Sequence, residues 1–219
     1  LILIFICNYN KDIIINYFYS TLKTENLNLG RFSIFFTIFC FLSYLQAFNM
    51  YDGADKQSGL YSFICLFYLY IVSDYNFFLL YILIPIFFFI IFNKKGQIFL
   101  GNSGSNFLSF LIAFIVIKLS DINNLYAENI FVLFAIPGFD MIRLFYSRIR
   151  NKKNPIKGDL NHLHHLCNNK FNYLKSLIII SSLTVIPVLG MILKFHVYSL
   201  IIFQFISYVL LVYSVSRSN

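Results

Sequence analysis

Long apolar runs broken by short polar stretches cover nearly the whole chain, and run length is the signal that identifies them. About 20 helical residues, rising 1.5 Å each, cross about 30 Å of hydrocarbon. Hydropathy predicts seven helices, over residues 33–49, 59–73, 76–92, 104–119, 128–146, 174–194 and 196–214. The second is short for a span and needs Ser58 and Gly59, or Ser73 and Asp74, to reach both surfaces. The opening apolar run, 1–7, is shorter still, and it has no initiating Met, basic segment or cleavage site of the kind a signal peptide carries. It reads as the stump of an upstream helix, so residues 1–31 are expected to be that stump plus an extracytoplasmic loop, ahead of a membrane domain over 32–219.

Composition agrees with the pattern. Of 219 residues, 59% are hydrophobic and 12% charged, against roughly 45–50% and about 25% in soluble domains, and the mean hydropathy is +0.73. The expectation is an all-α, polytopic integral membrane protein with no room for a soluble domain. The four cysteines form no Cys-x-x-Cys pair and argue for no disulfide framework.

Charge then sets sidedness. With seven alternating spans, the loops at 50–58, 93–103 and 147–173 share one face with the C-terminus. That face holds 12 of the 17 Lys and Arg residues and the other holds 5. The positive-inside rule makes the first face cytoplasmic, so the net charge of +8 is mostly topology. A basic cytosolic face also suits anionic lipids or phosphorylated substrates. No basic stripe interleaved with aromatics stands outside the spans, which sets nucleic-acid binding aside.

Three polar clusters fall on that face. The first, Asn49-Met50-Tyr51-Asp52-Gly53-Ala54-Asp55-Lys56, places two carboxylates at the hydrocarbon boundary, where charge is costly unless paired, metal-bound or wet. It reads equally as a functional acid pair or as an interfacial turn with Gly53 as a helix C-cap. The second, Phe99-Leu100-Gly101-Asn102-Ser103-Gly104-Ser105, offers small residues and helix N-terminal amides that suit a phosphate, or simply an N-cap. The third runs from Asp140 through Arg143, Arg148 and Arg150 to Asn154-Pro155 and Asp159-Leu160-Asn161-His162-Leu163-His164-His165. Its plainest element is an i,i+3 ion pair between Asp140 and Arg143. Zinc bound by His162, His164, His165 and Cys167 lacks the i,i+4 pair that puts two ligands on one helical face. Imidazoles that donate hydrogen bonds to phosphate oxygens and exchange protons near neutrality fit the spacing better.

Together these clusters resemble the polyprenyl-phosphate N-acetylhexosamine-1-phosphate transferases, the glycosyl transferase family 4 superfamily, from about Phe41 to the C-terminus. The family pattern Asn-x-x-Asp-Gly-x-Asp-Gly is matched by Asn49, Asp52, Gly53 and Asp55, with Lys56 where a second glycine is usual. The Phe-Met-Gly-Asp-x-Gly-Ser loop is matched by Phe99, Leu100, Gly101, Ser103, Gly104 and Ser105. The Pro-x-x-Asp segment with its basic residues and His-x-His-His motif is matched by Pro137, Asp140, Arg143, Arg148, Pro155, Asp159, His162, His164 and His165.

The resemblance implies transfer of a sugar 1-phosphate from a UDP-linked amino sugar to polyprenyl phosphate, with release of UMP and a requirement for Mg²⁺. It implies a multi-pass protein of the bacterial inner membrane, active in cell-envelope precursor synthesis, and leaves room for a homodimer. Asp52 is expected to be the catalytic carboxylate, with Asp55 and Asn49 on the nucleotide side. Arg143, His162, His164 and His165 are expected to hold the diphosphate, and Asn93 to make a further substrate contact. Two departures stand out. The family's metal-binding Asp is Asn102 here, an uncharged ligand for an ion that favours carboxylates. The family's early Asp-Asp motif is absent, which the expectation of a truncated chain explains. A second reading, motivated by Asn102, is a relative that binds a nucleotide- or lipid-linked sugar without turning it over. A transporter, suggested only by Pro85 and Pro187 in mid-span, ranks last.

Overall fold

Each of the seven apolar runs folds as a helix, and the polar breaks between them become the turns. The structure, a computed structural model, describes residues 13–22, 27–74, 76–93, 98–121, 125–152, 154 and 161–216. Within these lie α1 (Ser33–Tyr51), α2 (Gln57–Val72), α3 (Phe77–Phe92), α4 (Gly101–Asp121), α5 (Ala127–Arg150), α6 (Leu163–Lys170), α7 (Tyr173–Ile192) and α8 (Val197–Ser216). Two-residue strands β1 (Tyr17–Phe18) and β2 (Leu27–Asn28) pair antiparallel ahead of a 3₁₀ turn, Gly30–Phe32. The early part of the predicted 1–31 segment and the polar stretch containing Pro155 and Asp159 lie outside the described residues.

Five helices, α1, α4, α5, α7 and α8, are long and apolar enough to cross a membrane; α2 and α3 are apolar but have 16 residues each. Sixteen residues rise about 24 Å. For α2 the shortfall matters little, because it is enclosed by its neighbours: Tyr61, Cys65, Leu66 and Leu69 are all buried. By contrast α3 packs mainly on α2 and turns Phe77, Phe78, Tyr81, Phe87 and Phe88 outward, an apolar surface that hydrocarbon tolerates and water does not. The chain is a multi-pass membrane protein.

Two of the three prolines inside the apolar helices, Pro137 and Pro187, expose a constraint hydropathy does not report. Proline has no N–H, so the carbonyl four residues earlier loses its helical partner, and in hydrocarbon an unmet carbonyl is costly. Pro137 frees Leu133 O in α5, and the Tyr61 hydroxyl of α2 donates to it at 2.9 Å. Pro187 frees Leu183 O in α7, and Gln204 Nε2 of α8 donates to it at 3.1 Å while also reaching Val132 O at 3.2 Å. Both of these breaks are thus mended by a side chain from another helix, which fixes how α2, α5, α7 and α8 meet.

At one end of the bundle the hairpin is tied down by Glu128, 8% exposed, in the first turn of α5. Its Oε1 accepts from Ser20 Oγ, the Thr21 backbone N–H and the Tyr198 hydroxyl. Ile15 N–H donates to Thr37 Oγ1 at 2.9 Å, and Ala127 N–H to Tyr19 O at 2.9 Å.

Candidate active site at the opposite end of the bundle

The chain leaves α1 at Asp52, whose N–H still donates to Phe48 O at 2.9 Å. A turn over Gly53–Lys56 follows before α2 begins. Gly53 does not occupy the left-handed region; Lys56 does, at φ +62°. The C-cap reading of Gly53 therefore gives way to another cause. The His164 imidazole lies against it, and a Cβ added at position 53 would stand 2.1 Å from His164 Cε1 and 2.3 Å from Nε2. Glycine is there because α6 approaches the turn too closely for any side chain.

Asp52 itself is half-buried. Burial pushes its carboxyl above the usual aspartate range, opposed by a hydrogen bond from Ser58. The Tyr173 hydroxyl at the start of α7 donates to Asp55 O at 2.5 Å. Asn93, 4% exposed, uses both ends of its amide: Oδ1 accepts from Lys56 N–H and Nδ2 donates to Ile98 O. In this state its side chain splices the α1–α2 and α3–α4 connections together.

The glycine-rich segment joins the same end. Gly101, at φ +61°, starts α4, and Asn102 stands exposed in the first turn. Buried Ser105 donates toward Asn49 Oδ1 at 3.1 Å and lies 3.3 Å from Asn102 O, so it links the α1 exit to the position of the missing acid.

The third cluster is organised by Asp140, 3% exposed. Arg143 donates to Asp140 Oδ1 at 2.7 Å through Nη2 and at 3.2 Å through Nε, so the i,i+3 pair forms. The Tyr208 hydroxyl reaches the same oxygen at 3.2 Å, and Leu163 N–H donates to Oδ2 at 3.3 Å. Arg143 Nη2 also caps Asn161 O at 2.6 Å. A carboxylate inside a span thereby receives the start of α6 and is neutralised by a guanidinium.

On that anchored helix, His162 Nδ1 lies 3.6 Å from Asp140 Oδ2, and the rings of His164 and His165 are 4.2 Å apart. Burial, with His165 and His162 as like-charged neighbours, lowers His164 to about 4; it is a neutral imidazole at neutral pH. Cys167 is fully buried and its thiol is pushed up to about 11, chiefly by burial. Among the described residues no group of three or more His, Cys, Asp or Glu is placed to hold a metal.

The structure therefore brings Asn49, Asp52, Asp55, Asn93, Asn102, Arg143, His162, His164 and His165 to one end of the bundle, with direct contacts joining neighbouring segments. The sequence missed Ser58, Tyr173 and Tyr208. The first two follow apolar-boundary positions without any motif, and Tyr208 sits in an apolar run, where a buried hydroxyl needing a partner is the one available hint.

Chemically, the arrangement offers half-buried carboxylates, a neutral imidazole and a partly committed guanidinium at a membrane surface, a combination suited to phosphate chemistry on a lipid. Residues 1–120 match the family described as "Glycosyl transferase family 4". The chain is similar to undecaprenyl-phosphate alpha-N-acetylglucosaminyl 1-phosphate transferases: 26% identical over 154 residues to that of Escherichia coli (strain K12), covering 63% of this chain and 41% of the relative. It is 28% identical over 154 residues to that of Yersinia pestis, with 63% and 41% covered. To that of Thermotoga maritima it is 30% identical over 165 residues, with 74% and 53% covered. The chain thus spans about two fifths to one half of the length of these relatives.

Proposed function

The chain belongs to glycosyl transferase family 4, and on that premise we propose that it forms the catalytic part of an enzyme transferring a sugar 1-phosphate, N-acetylhexosamine 1-phosphate in our reading, from a UDP-sugar to polyprenyl phosphate. The observation that carries the proposal is the contact of His164 with Gly53, which draws the histidine cluster onto the carboxylate-bearing turn.

An oxygen of the polyprenyl phosphate attacks the sugar-bearing phosphorus of the donor. A new P–O–P bond forms, the bond to the uridine-bearing phosphate breaks, and UMP leaves. Such transfers ask mainly for positioning and charge neutralisation. Asp52 serves as the carboxylate that activates the attacking phosphate, a role helped by the upward shift that burial gives it, since a higher carboxyl pKa makes a stronger base. Asp55 and Asn49 face the nucleotide, Arg143 and the histidines the diphosphate. Asn93 contributes by holding the turn, with substrate contact requiring release of its present bonds.

Hard oxygen donors for Mg²⁺ exist in Asn102 and the Asp52–Asp55 turn, and Mg²⁺ is commonly held by one or two carboxylates plus substrate phosphates. The donor chemistry fits, with Asn102 the weak member because it brings no charge. Held by these residues, such an ion would supply positive charge to offset the charge that develops on the diphosphate. We place the site on the cytoplasmic side of a bacterial inner membrane, from the distribution of Lys and Arg.

The test uses membranes carrying the full-length protein. UMP release from a UDP-amino sugar that requires both polyprenyl phosphate and Mg²⁺ is the expected result. Nucleotide binding with no UMP release under any of these conditions would overturn the proposal in favour of a non-catalytic binding relative, the reading that Asn102 motivates.

A further inference from the structure

Lys56 breaks two local rules at once. It holds φ +62°, a region that residues with a Cβ rarely adopt, and it is the N-cap residue of α2, where a cation meets the positive end of the helix dipole. Its side chain makes no capping hydrogen bond. No hydrogen bond or ion pair joins its ammonium to another described residue; its bonds run through the backbone, from its N–H to Asn93 Oδ1 and from Leu60 N–H to its carbonyl.

The conformation is imposed from outside. Asn93 grips the Lys56 N–H on one side and Tyr173 grips Asp55 O on the other. A strained position that its surroundings over-determine, occupied by a side chain with no local reward, is the signature of a residue kept for function. Glycine would remove the strain, and aspartate or serine would cap the helix. Neither would bring a positive charge to the turn that carries Asp52 and Asp55.

The same turn shows a second unmet group. His164 is 3% exposed, and its Nε2, which lies against Gly53, has no hydrogen-bond partner. The turn thus presents an unengaged ammonium at one end and an unengaged imidazole nitrogen at the other. At the glycine-rich segment the family's acid is the neutral Asn102, so anion binding there lacks the charge a tightly held metal would bring.

We propose that Lys56 is a phosphate-binding residue, whose ammonium pairs with the diphosphate of the nucleotide-sugar donor. The proposal rests on the transferase reading and adds a fixed cation to it. The ammonium offsets part of the donor's negative charge whether or not the divalent ion is bound, so donor binding persists at low Mg²⁺.

The experiment measures binding of UDP-N-acetylglucosamine and of inorganic pyrophosphate to full-length protein in nanodiscs with EDTA present, alongside thermal unfolding. Lys56→Gln should weaken both ligands about tenfold, the loss of one charge-assisted hydrogen bond, and flatten the salt dependence of binding, while Lys56→Arg should retain affinity. Lys56→Gly should raise Tm and still lose the affinity. If Lys56→Gly raises Tm while binding stays within twofold of the parent, Lys56 is only a strained surface residue and the proposal falls. Nucleotide-sugar binding by the unaltered protein that appears only when Mg²⁺ replaces EDTA would overturn this inference alone, and no binding in either condition would overturn the transferase reading with it.

Discussion

The imidazole of His164 and the Cα of Gly53 are in such close contact that a Cβ at position 53 would lie 2.1 Å from the ring. Two segments far apart in sequence therefore share one packing surface, and the histidine motif is a wall of the carboxylate turn. Gly53→Ala should cost about 1–3 kcal/mol, the usual range for overpacking. Adding His164→Ala should recover most of that loss, as a double-mutant cycle on Tm would reveal. Additive losses would mean that the two do not touch.

The pH dependence follows from the same imidazole. His164 titrates near 4 in the folded protein and near 6.5 when unfolded, so the unfolded chain binds more protons between those values. Its contribution to stability is complete above about 6.5 and is lost as pH falls from there through 4. Unfolding midpoints measured from pH 7 to 4 should decline more steeply for the parent than for His164→Phe. Parallel curves would show that His164 titrates normally.

Proline relief makes a prediction inside the membrane. Tyr61→Phe leaves Leu133 O without its donor and should destabilise by about 1–3 kcal/mol. In a Pro137→Ala background the restored N–H can satisfy that carbonyl, so the same Tyr61→Phe change should then cost well under half as much. Equal costs in both backgrounds, read from chemical unfolding in detergent, would rule out the assignment.

Asn102→Asp places a carboxylate at the exposed first turn of α4, beside the Ser105–Asn49 link. Mg²⁺ affinity, followed by calorimetry in the presence of UDP-sugar, should rise by about an order of magnitude, since carboxylates are preferred ligands. Unchanged affinity would move the metal position elsewhere.

How much of this was legible beforehand depends on the kind of signal. The seven spans could be read because each is a contiguous apolar run; α5 was expected over 128–146 and occupies Ala127–Arg150. The meeting of three polar segments at one end followed from alternation of spans and charge counting. By contrast α6, a polar eight-residue helix, leaves no trace in hydropathy. Its place is set by Asp140, which accepts Leu163 N–H from 23 positions away. The left-handed backbone at Lys56 and the Tyr61 and Gln204 repairs were equally hidden, because each depends on a partner remote in sequence. For Arg143 the spacing offered an ion pair with Asp140 and the resemblance a substrate contact; the pair forms, and the further bonds to Tyr208 and Asn161 were not legible.

The central claim is that the turn after α1 is the chemical centre of a sugar-phosphate transferase. It is tested most directly by comparing full-length protein with its Asp52→Asn variant for both UDP-amino sugar binding and UMP release in the presence of polyprenyl phosphate. The account predicts near-parental binding and at least a hundredfold slower release, in line with loss of a general base. Release at an undiminished rate by Asp52→Asn would contradict it.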